Sequence, residues 1–366
     1  MKVTTQLKDI VSFSKGEQIK GSDLLEEGPY DYLNGGITPS GKWNRYNTPK
    51  NTVTVSEGGN SCGYVNYMDR PFWCGAHCYY LFNSKLDNKY LYYALKSQQN
   101  RLMKIRSGAC MPNIKKSDLG AFKLTYETNE LEQKEIVKRL DKVKLVIDLR
   151  KAELQQLDEL VKSRFVEMFG TLNINEKNYT ILAISDLCTL IKDGTHQTPT
   201  YTEDIVNGFK FLSSKDVMSQ KINWNNIKYI PAELHEKLYS TIQPKKNDIL
   251  MSKNGVNYGV AAVNDTDEVF DIYVSLALLR PRTEKINPVY LRCVINNLDT
   301  KRQFDGSIKG IGVPNLHLSE IKKTKILVPP IEKQNDFVAF VEQVDKSKFC
   351  VTNYLRKIQL IKGELL

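Results

Sequence analysis

The chain has 366 residues, 26% charged and 41% hydrophobic, with a formal net charge of +10 from 52 Lys and Arg against 42 Asp and Glu. These are globular values; the length calls for two or three domains, and no apolar run approaches the ~20 residues of a membrane span. The N-terminal MKVTTQLKDIVSF lacks the apolar stretch of a secretory signal, and the seven cysteines are odd in number and unpatterned, so a reducing cytoplasm is expected.

In chain order, LKDIVSF at Leu7–Phe13 reads as an alternating opening strand, followed by an apolar pair at Tyr32-Leu33. NTVTVSEGGNSCG at Asn51–Gly63 reads as a buried strand (Val53, Val55) ending in a glycine-bearing turn, where the backbone needs positive φ or a close neighbour. KYLYYAL around Tyr90 predicts a short amphipathic helix; SGACMPNIKKSDL at Ser107–Leu119 is a Gly- and Pro-bearing loop, and FKLTY is a short strand. From about Leu131 to Met168 apolar residues recur in steps of four and three at Ile136, Leu140, Val143, Ile147, Leu154, Leu157, Val161 and Met168, interrupted by Arg150 and Arg164. That is a heptad seam, on a helix roughly 55 Å long.

The second half repeats this order. ISDLCTL at Ile184–Leu190 answers LKDIVSF; Phe211-Leu212 answers Tyr32-Leu33; NDILMSKNGVNYG at Asn247–Gly259 answers Asn51–Gly63, with Asn, Ser and both Gly at identical spacing. VYLRCVI near Tyr290, KGIGVPNLHLSEI at Lys309–Ile321 and the strand KILVP follow. A second seam, offset by about 201 residues, then runs through Phe337, Val341, Val344, Val351, Leu355, Ile358 and Leu365, interrupted by Lys348 and Lys362, with Gln334 matching Gln133. The expected architecture is a tandem repeat of mixed α/β (α+β) heads, 1–126 and 171–329, each followed by a helical segment, 127–170 and 330–366. About a pseudo-twofold axis the two helices pair antiparallel, each seam the partner of the other. By segment the charge is about +7, −1, +3 and +1, so the excess lies in the heads and suggests a polyanionic partner, most simply nucleic acid.

Catalytic constellations fail inspection. Val328-Pro329-Pro330-Ile331 lacks the amide and the aromatic of a base-holding Asn/Asp-Pro-Pro-aromatic motif, and there is neither a P-loop nor an acid-acid-Lys nuclease cluster. Cys62, Cys74, His77 and Cys78 lack zinc-knuckle spacing and have no counterpart in the second half, so buried thiols and a polar His are the better reading. Binding chemistry is better represented. The polar loop KDGTHQTPTY (Lys192–Tyr201) offers Lys192, Thr195, His196, Thr198 and Tyr201, which suit base edges and phosphates. Basic residues beside glycine turns suit phosphates, because a glycine lets a backbone N–H approach the anion: Lys15, Gly59 and Asn60, Arg106 with Gly108, Lys253 with Asn257 and Tyr258, and Lys309 with Gly310.

In combination, head-helix-head-helix over nearly the whole chain resembles the specificity subunit of type I restriction-modification systems. The most specific marks are DGTHQTPTY at Asp193–Tyr201, NDILMSKNG at Asn247–Gly255, GVPNLHLSEIKK at Gly312–Lys323 and VPPIEKQNDFV at Val328–Val338. The family's Glu-Gln after the prolines stands here as Lys333-Gln334, while the first half keeps Glu132-Gln133 without the prolines. The resemblance implies two target-recognition domains reading an asymmetric bipartite site in double-stranded DNA. It also implies spacer helices, through Ile136, Leu140, Ile147, Leu154, Leu157, Val161, Val341, Val344, Leu355 and Ile358, that set the half-site gap and dock two modification subunits. The chain itself would catalyse nothing and hold no cofactor; S-adenosylmethionine, Mg and ATP would sit on the modification and restriction subunits. The alternatives are a specificity subunit of another modification or phage-defence system and a coiled-coil scaffold that binds no DNA.

Overall fold

The computed structural model describes residues 1–108, 112–308 and 314–365, and side chains in the last helix up to residue 359. The chain divides into two compact units: residues 1–152 with 351–366, and residues 153–350.

The first unit runs β1 (Lys2–Gln6), β2 (Ser12–Lys15), β3 (Tyr30–Leu33), β4 (Gly41–Trp43), β5 (Thr52–Ser56), β6 (Val65–Met68), β7 (Phe72–Cys74), β8 (Cys78–Phe82), α1 (Asn88–Ser97), α2 (Gln99–Lys104), α3 (Lys116–Ala121) and β9 (Lys123–Glu127), then enters α4 (Glu130–Phe169). Its strands form a four-stranded antiparallel sheet, β2-β8-β5-β6, a three-stranded sheet, β4-β3-β7, with β3 and β7 parallel, and the antiparallel pair β1-β9. The core gathers the inner faces of β5 and β8 (Val53, Val55, Tyr79, Leu81) under α1 (Tyr90, Leu91, Leu95), all 8% exposed or less. The Asp87 carboxylate caps α1, accepting from the N–H groups of Lys89 and Tyr90 at 2.9 Å each.

The second unit completes α4 and continues with β10 (Thr180–Ala183), α5 (Ile184–Leu187), β11 (Cys188–Asp193), β12 (Phe209–Leu212), β13 (Lys228–Ile230), α6 (Ala232–Tyr239), β14 (Ile249–Ser252), β15 (Ala261–Val263), β16 (Phe270–Ile272), β17 (Leu276–Pro281), α7 (Pro288–Ile295), α8 (Leu298–Ser307), α9 (Leu318–Lys323) and β18 (Lys325–Val328), then enters α10 (Ile331–Leu365), whose residues from 351 on belong to the first unit. The sheets β11-β17-β14-β15, β13-β12-β16 and β10-β18 repeat those of the first unit strand for strand, including the parallel pair β12-β16. Asn287 caps α7 as Asp87 caps α1.

One expectation is corrected. LKDIVSF and ISDLCTL are not opening strands: Leu7–Asp9 is a 3-10 turn and Ile184–Leu187 a helical turn, and the strand begins only at Ser12 or Cys188. Leu7, Ile10 and Val11, like Ile184, Leu187 and Cys188, are spaced i, i+3, i+4, and all six are buried. That is a helical face. The opening strands are β1 and β10.

The long helices pair antiparallel. Within the second unit, Asp158 meets Lys348, Arg164 lies over the Phe340 ring at 5.8 Å, and Phe165 and Phe169 each meet Phe337 at 5.5 Å between ring centroids. Rising numbers on α4 thus meet falling numbers on α10. Within the first unit Arg150 lies 5.2 Å from the Tyr354 ring, so both arginines that interrupt the first seam stack on aromatics of the other helix. Leu140, Ile147, Val341, Val344, Val351, Leu355 and Ile358 are buried, whereas Ile136, Leu154, Leu157 and Val161 are half-buried. Phe165 and Phe169 carry the deepest packing of the later part of α4, in an aromatic cluster with Tyr290 and Phe337. Among the described residues no helix is long and apolar enough to cross a membrane.

Candidate nucleic-acid interface

The turn after β5 is built from residues whose spacing the sequence repeats. Asn51 enters the strand at φ 60° and its counterpart Asn247 at 70°, a region Asn tolerates better than most residues. The Ser56 hydroxyl donates to the Gly35 carbonyl, and Ser252 donates from Oγ to the Asn257 carbonyl at 2.8 Å. Gly59 (φ 70°) and Gly255 (φ 82°) stand at the turn tips with open space where a Cβ would lie. Gly63 and Gly259, both at φ 85°, close each turn by donating to Ser56 O at 2.9 Å and Ser252 O at 2.7 Å; a Cβ there would strike the Met103 backbone or the Phe304 ring. Each glycine thus answers a steric demand, which explains the matched spacing.

A second loop backs each turn. Gly59 N–H donates to Pro112 O at 3.0 Å and Ile114 N–H to Glu57 O at 2.8 Å; Gly255 N–H donates to Pro314 O at 2.9 Å and Leu316 N–H to Lys253 O at 2.8 Å. Ser107 and Asn113 pair across the base of the first backing loop, leaving Arg106 and Gly108 exposed beside the tip. Lys15, Gly59, Asn60, Arg106 and Gly108 therefore collect on one edge of the first unit. Lys309 and Gly310 lie outside the described residues.

Beneath each turn lies an ion pair that sequence reading missed, and its polarity is reversed between the halves. In the first unit Lys15, at the end of β2, pairs with Glu57 on the turn. In the second, Asp193 at the end of β11 holds Lys253 on the turn at 2.7 Å. The positions are equivalent: β2 and β11 pair with β8 and β17, Lys15 faces Tyr79 and Asp193 faces Ala277, while Val55 and Met251 face those same two residues from the other side. In both units the carboxylate also meets an exposed imidazole, supplied by different loops: His77 Nδ1 lies 3.2 Å from Glu57 Oε2, and His196 Nε2 lies 3.6 Å from Asp193 Oδ2. The available signal was the opposite charge of Glu57 and Lys253 at matched positions in the repeat.

The other sequence candidates fall around this core. Thr195 N–H donates to Ile272 O at 3.0 Å, which fixes the loop carrying His196 and Thr198, both exposed. Gly194 is obligatory there, because a Cβ would lie 2.3 Å from Ile272 O. Tyr201 packs edge-on to Phe211, with Lys228 Nζ 4.0 Å from its ring centroid, and partial burial raises its phenol pKa. Lys192 points to the opposite face from Asp193 and donates to Thr241 O at 2.9 Å. The Tyr258 hydroxyl donates to Asp305, which raises the phenol pKa and holds the Asp305 carboxyl below its usual range, with Lys301 Nζ 3.3 Å from the Tyr258 ring centroid. Asn257 is exposed at the tip. Of the cysteine cluster, Cys62, Cys74 and Cys78 are buried free thiols, Cys74 held protonated by its contact with Cys78 and by burial, while His77 turns outward to Glu57. Tyr79 under the first turn is pushed up to about 12 by burial and donates to Ile114 O at 3.0 Å.

Comparison with known proteins bears on both halves at once. The family model described as type I restriction modification DNA specificity domain matches residues 2–159 and again 176–361. The chain belongs to the type I restriction-modification specificity subunit family. A Mycoplasma genitalium protein named as type I specificity subunit S.MgeORF438P is 38% identical over 157 residues, 42% of this chain and 40% of that protein. A Mycoplasma pneumoniae counterpart, S.MpnORF638P, is 37% identical over 159 residues, so the chain spans about 40% of the length of both. The EcoKI specificity subunit of Escherichia coli is 21% identical over 341 residues, 86% of this chain and 72% of that one. In fold, the family member resembles the crystal structure of the M. genitalium S subunit with a TM-score of 0.59 at 22% identity, covering 100% of this chain and 95% of the other.

Proposed function

We propose that this chain reads DNA sequence for a type I restriction-modification complex and catalyses no step itself. The carrying observation is that both halves build the same exposed glycine turn, backed by the same loop and seated on an equivalent Lys-carboxylate pair, while differing in nearly every side chain at the tip. Two like platforms with unlike tips suit an asymmetric bipartite site. The domain limits 1–126, 127–170, 171–329 and 330–366 belong to this reading, with the heads as recognition domains. Lys15, Gly59, Asn60, Arg106 and Gly108 would serve one half-site, and Thr195, His196, Thr198, Tyr201, Lys253, Asn257, Tyr258, Lys309 and Gly310 the other, Lys192 with them. Because Lys15 and Lys253 are already paired, part of their role is to hold the turns, and the exposed Arg106 carries more of the phosphate contact.

The helices would set the half-site gap at about one helical turn and carry the modification subunits. Support comes from apolar side chains exposed on them, Leu145 and Leu149 at 59% each and Phe349 at 66%, more than a solvated helix pair needs. S-adenosylmethionine, Mg and ATP would act on those partners and on the restriction subunits.

Binding of labelled duplex DNA by the chain, titrated from 50 to 300 mM salt, tests the reading. Counterion release predicts a linear fall of log K with log salt, at a slope near −0.9 per phosphate contacted. Affinity that stays level across that range would contradict it.

A further inference from the structure

Each long helix leaves its head at a corner closed by the same side chain. On the first turn of α4, Gln133 is 2% exposed; its Nε2 donates to the carbonyl of Glu127, the last residue of β9, at 2.9 Å. Its Oε1 accepts from the N–H of Asp87, the N-cap of α1, at 3.3 Å. On the first turn of α10, Gln334 is fully buried and donates to Pro329 O at 2.8 Å and Lys285 O at 3.2 Å. Its Oε1 accepts from the N–H of Asn287, the N-cap of α7, at 2.9 Å. A tyrosine on each short helix ties the same corner: the Tyr90 hydroxyl accepts from Glu127 N–H at 2.6 Å, and that of Tyr290 donates to Leu327 O at 3.0 Å. None of these groups belongs to the turn platforms.

A buried amide with both ends bonded is costly to loosen, since each freed partner loses its hydrogen bond away from water. Packing alone would fill the space with an apolar side chain. The amide adds direction, tying the strand exit, the helix start and the cap of the short helix to one another. Direction matters because the helix is a lever: 40 residues at 1.5 Å each reach roughly 60 Å. A play of about 5° at the corner therefore moves the far end by about 5 Å, more than one ~3.4 Å base-pair step.

We infer that Gln133 and Gln334 are positioning residues that fix the angle between each head and its helix, and through it the half-site spacing the protein accepts. The inference rests on the two-head reading above. It is tested with the full complex carrying Gln133→Leu, Gln334→Leu or both, on duplexes whose half-sites are separated by the natural spacer or by one base pair more or less. The expected result is that preference for the natural spacer falls at least tenfold while affinity for the naturally spaced site falls less than threefold, with both half-site sequences unchanged. Uniform weakening with the spacer preference intact would mean that the amides merely stabilise the corner, and would overturn the inference. If the leucine variants do not fold, Gln133→Met and Gln334→Met follow the unbranched shape of the glutamine, remove both of its bonds without burying a charge, and the same ratio decides. If the wild-type complex recognises no bipartite site, the two-head reading falls and takes this inference with it.

Discussion

Replacing Lys253 with Met separates the two ion pairs by their burial. Lys253 is 6% exposed and Asp193 17%, so the variant strands a carboxylate whose remaining neighbour is His196 at 3.6 Å. Breaking a buried pair on one side costs ~3–5 kcal/mol. In the first unit Glu57 is 12% exposed, but Lys15 is 43% exposed and Glu57 keeps His77 at 3.2 Å; Lys15→Met should cost ~1–2 kcal/mol, between an exposed and a buried pair. At ~2–4 °C per kcal/mol, thermal melts of the full chain should show the second unit destabilised by about 6–20 °C in Lys253→Met and the first unit by only about 2–8 °C in Lys15→Met. Hydrogen exchange assigns each transition to its unit. The double reversal Asp193→Lys with Lys253→Glu recreates the order found in the first unit and should regain at least half of the loss. Equal costs for the two single variants, or a reversed pair no better than Lys253→Met, would refute the reasoning.

Burial pushes the Asp271 carboxyl above its ordinary value of 3.8, against the opposing pull of His235 at 2.7 Å. The folded unit therefore binds that proton more tightly than the unfolded chain, and the stability it contributes is full below 3.8 and lost as pH rises through the raised value. Asp271→Asn should flatten that fall in urea melts between pH 4 and 7; an unchanged slope would count against it. In the seam, Leu140→Asp buries an unpaired charge at a fully buried position and should cost several kcal/mol, while Leu154→Asp, half-buried, should cost clearly less by denaturant midpoint. Exchanging residues 171–329 for the corresponding head of another family member should change one half-site only, read by methylation mapping; altered recognition in both halves would contradict modularity.

The repeat was legible because its anchors answer local steric demands. Asn51, Ser56, Gly59 and Gly63 recur as Asn247, Ser252, Gly255 and Gly259, since left-handed backbone and close approach admit few residue types. The heptad seam was legible for the same reason of period. What the sequence hid was tertiary. Leu7, Val11 and Phe13 keep the parity of a strand over so short a run, and only the common burial of Leu7, Ile10 and Val11 shows the helical turn. Phe165 and Phe169 were masked by the neighbouring Arg164, whose guanidinium stacks on Phe340 instead of interrupting the packing. The Lys15-Glu57 and Asp193-Lys253 pairs join residues 42 and 60 positions apart with opposite order of charge, so no motif search aligns them. Gln133 and Gln334 were visible as a match, but their bonds to the caps of α1 and α7 were not.

On the proposed function, this chain selects the DNA sequence a methyltransferase complex modifies. Single-molecule methylation sequencing of the host genome, with and without this gene, tests it most directly. The account predicts that an asymmetric two-part motif bearing N6-methyladenine on both strands disappears on deletion and returns on complementation. A complemented host in which the modification and restriction subunits are expressed, yet whose methylation is the same with and without the gene, would contradict it.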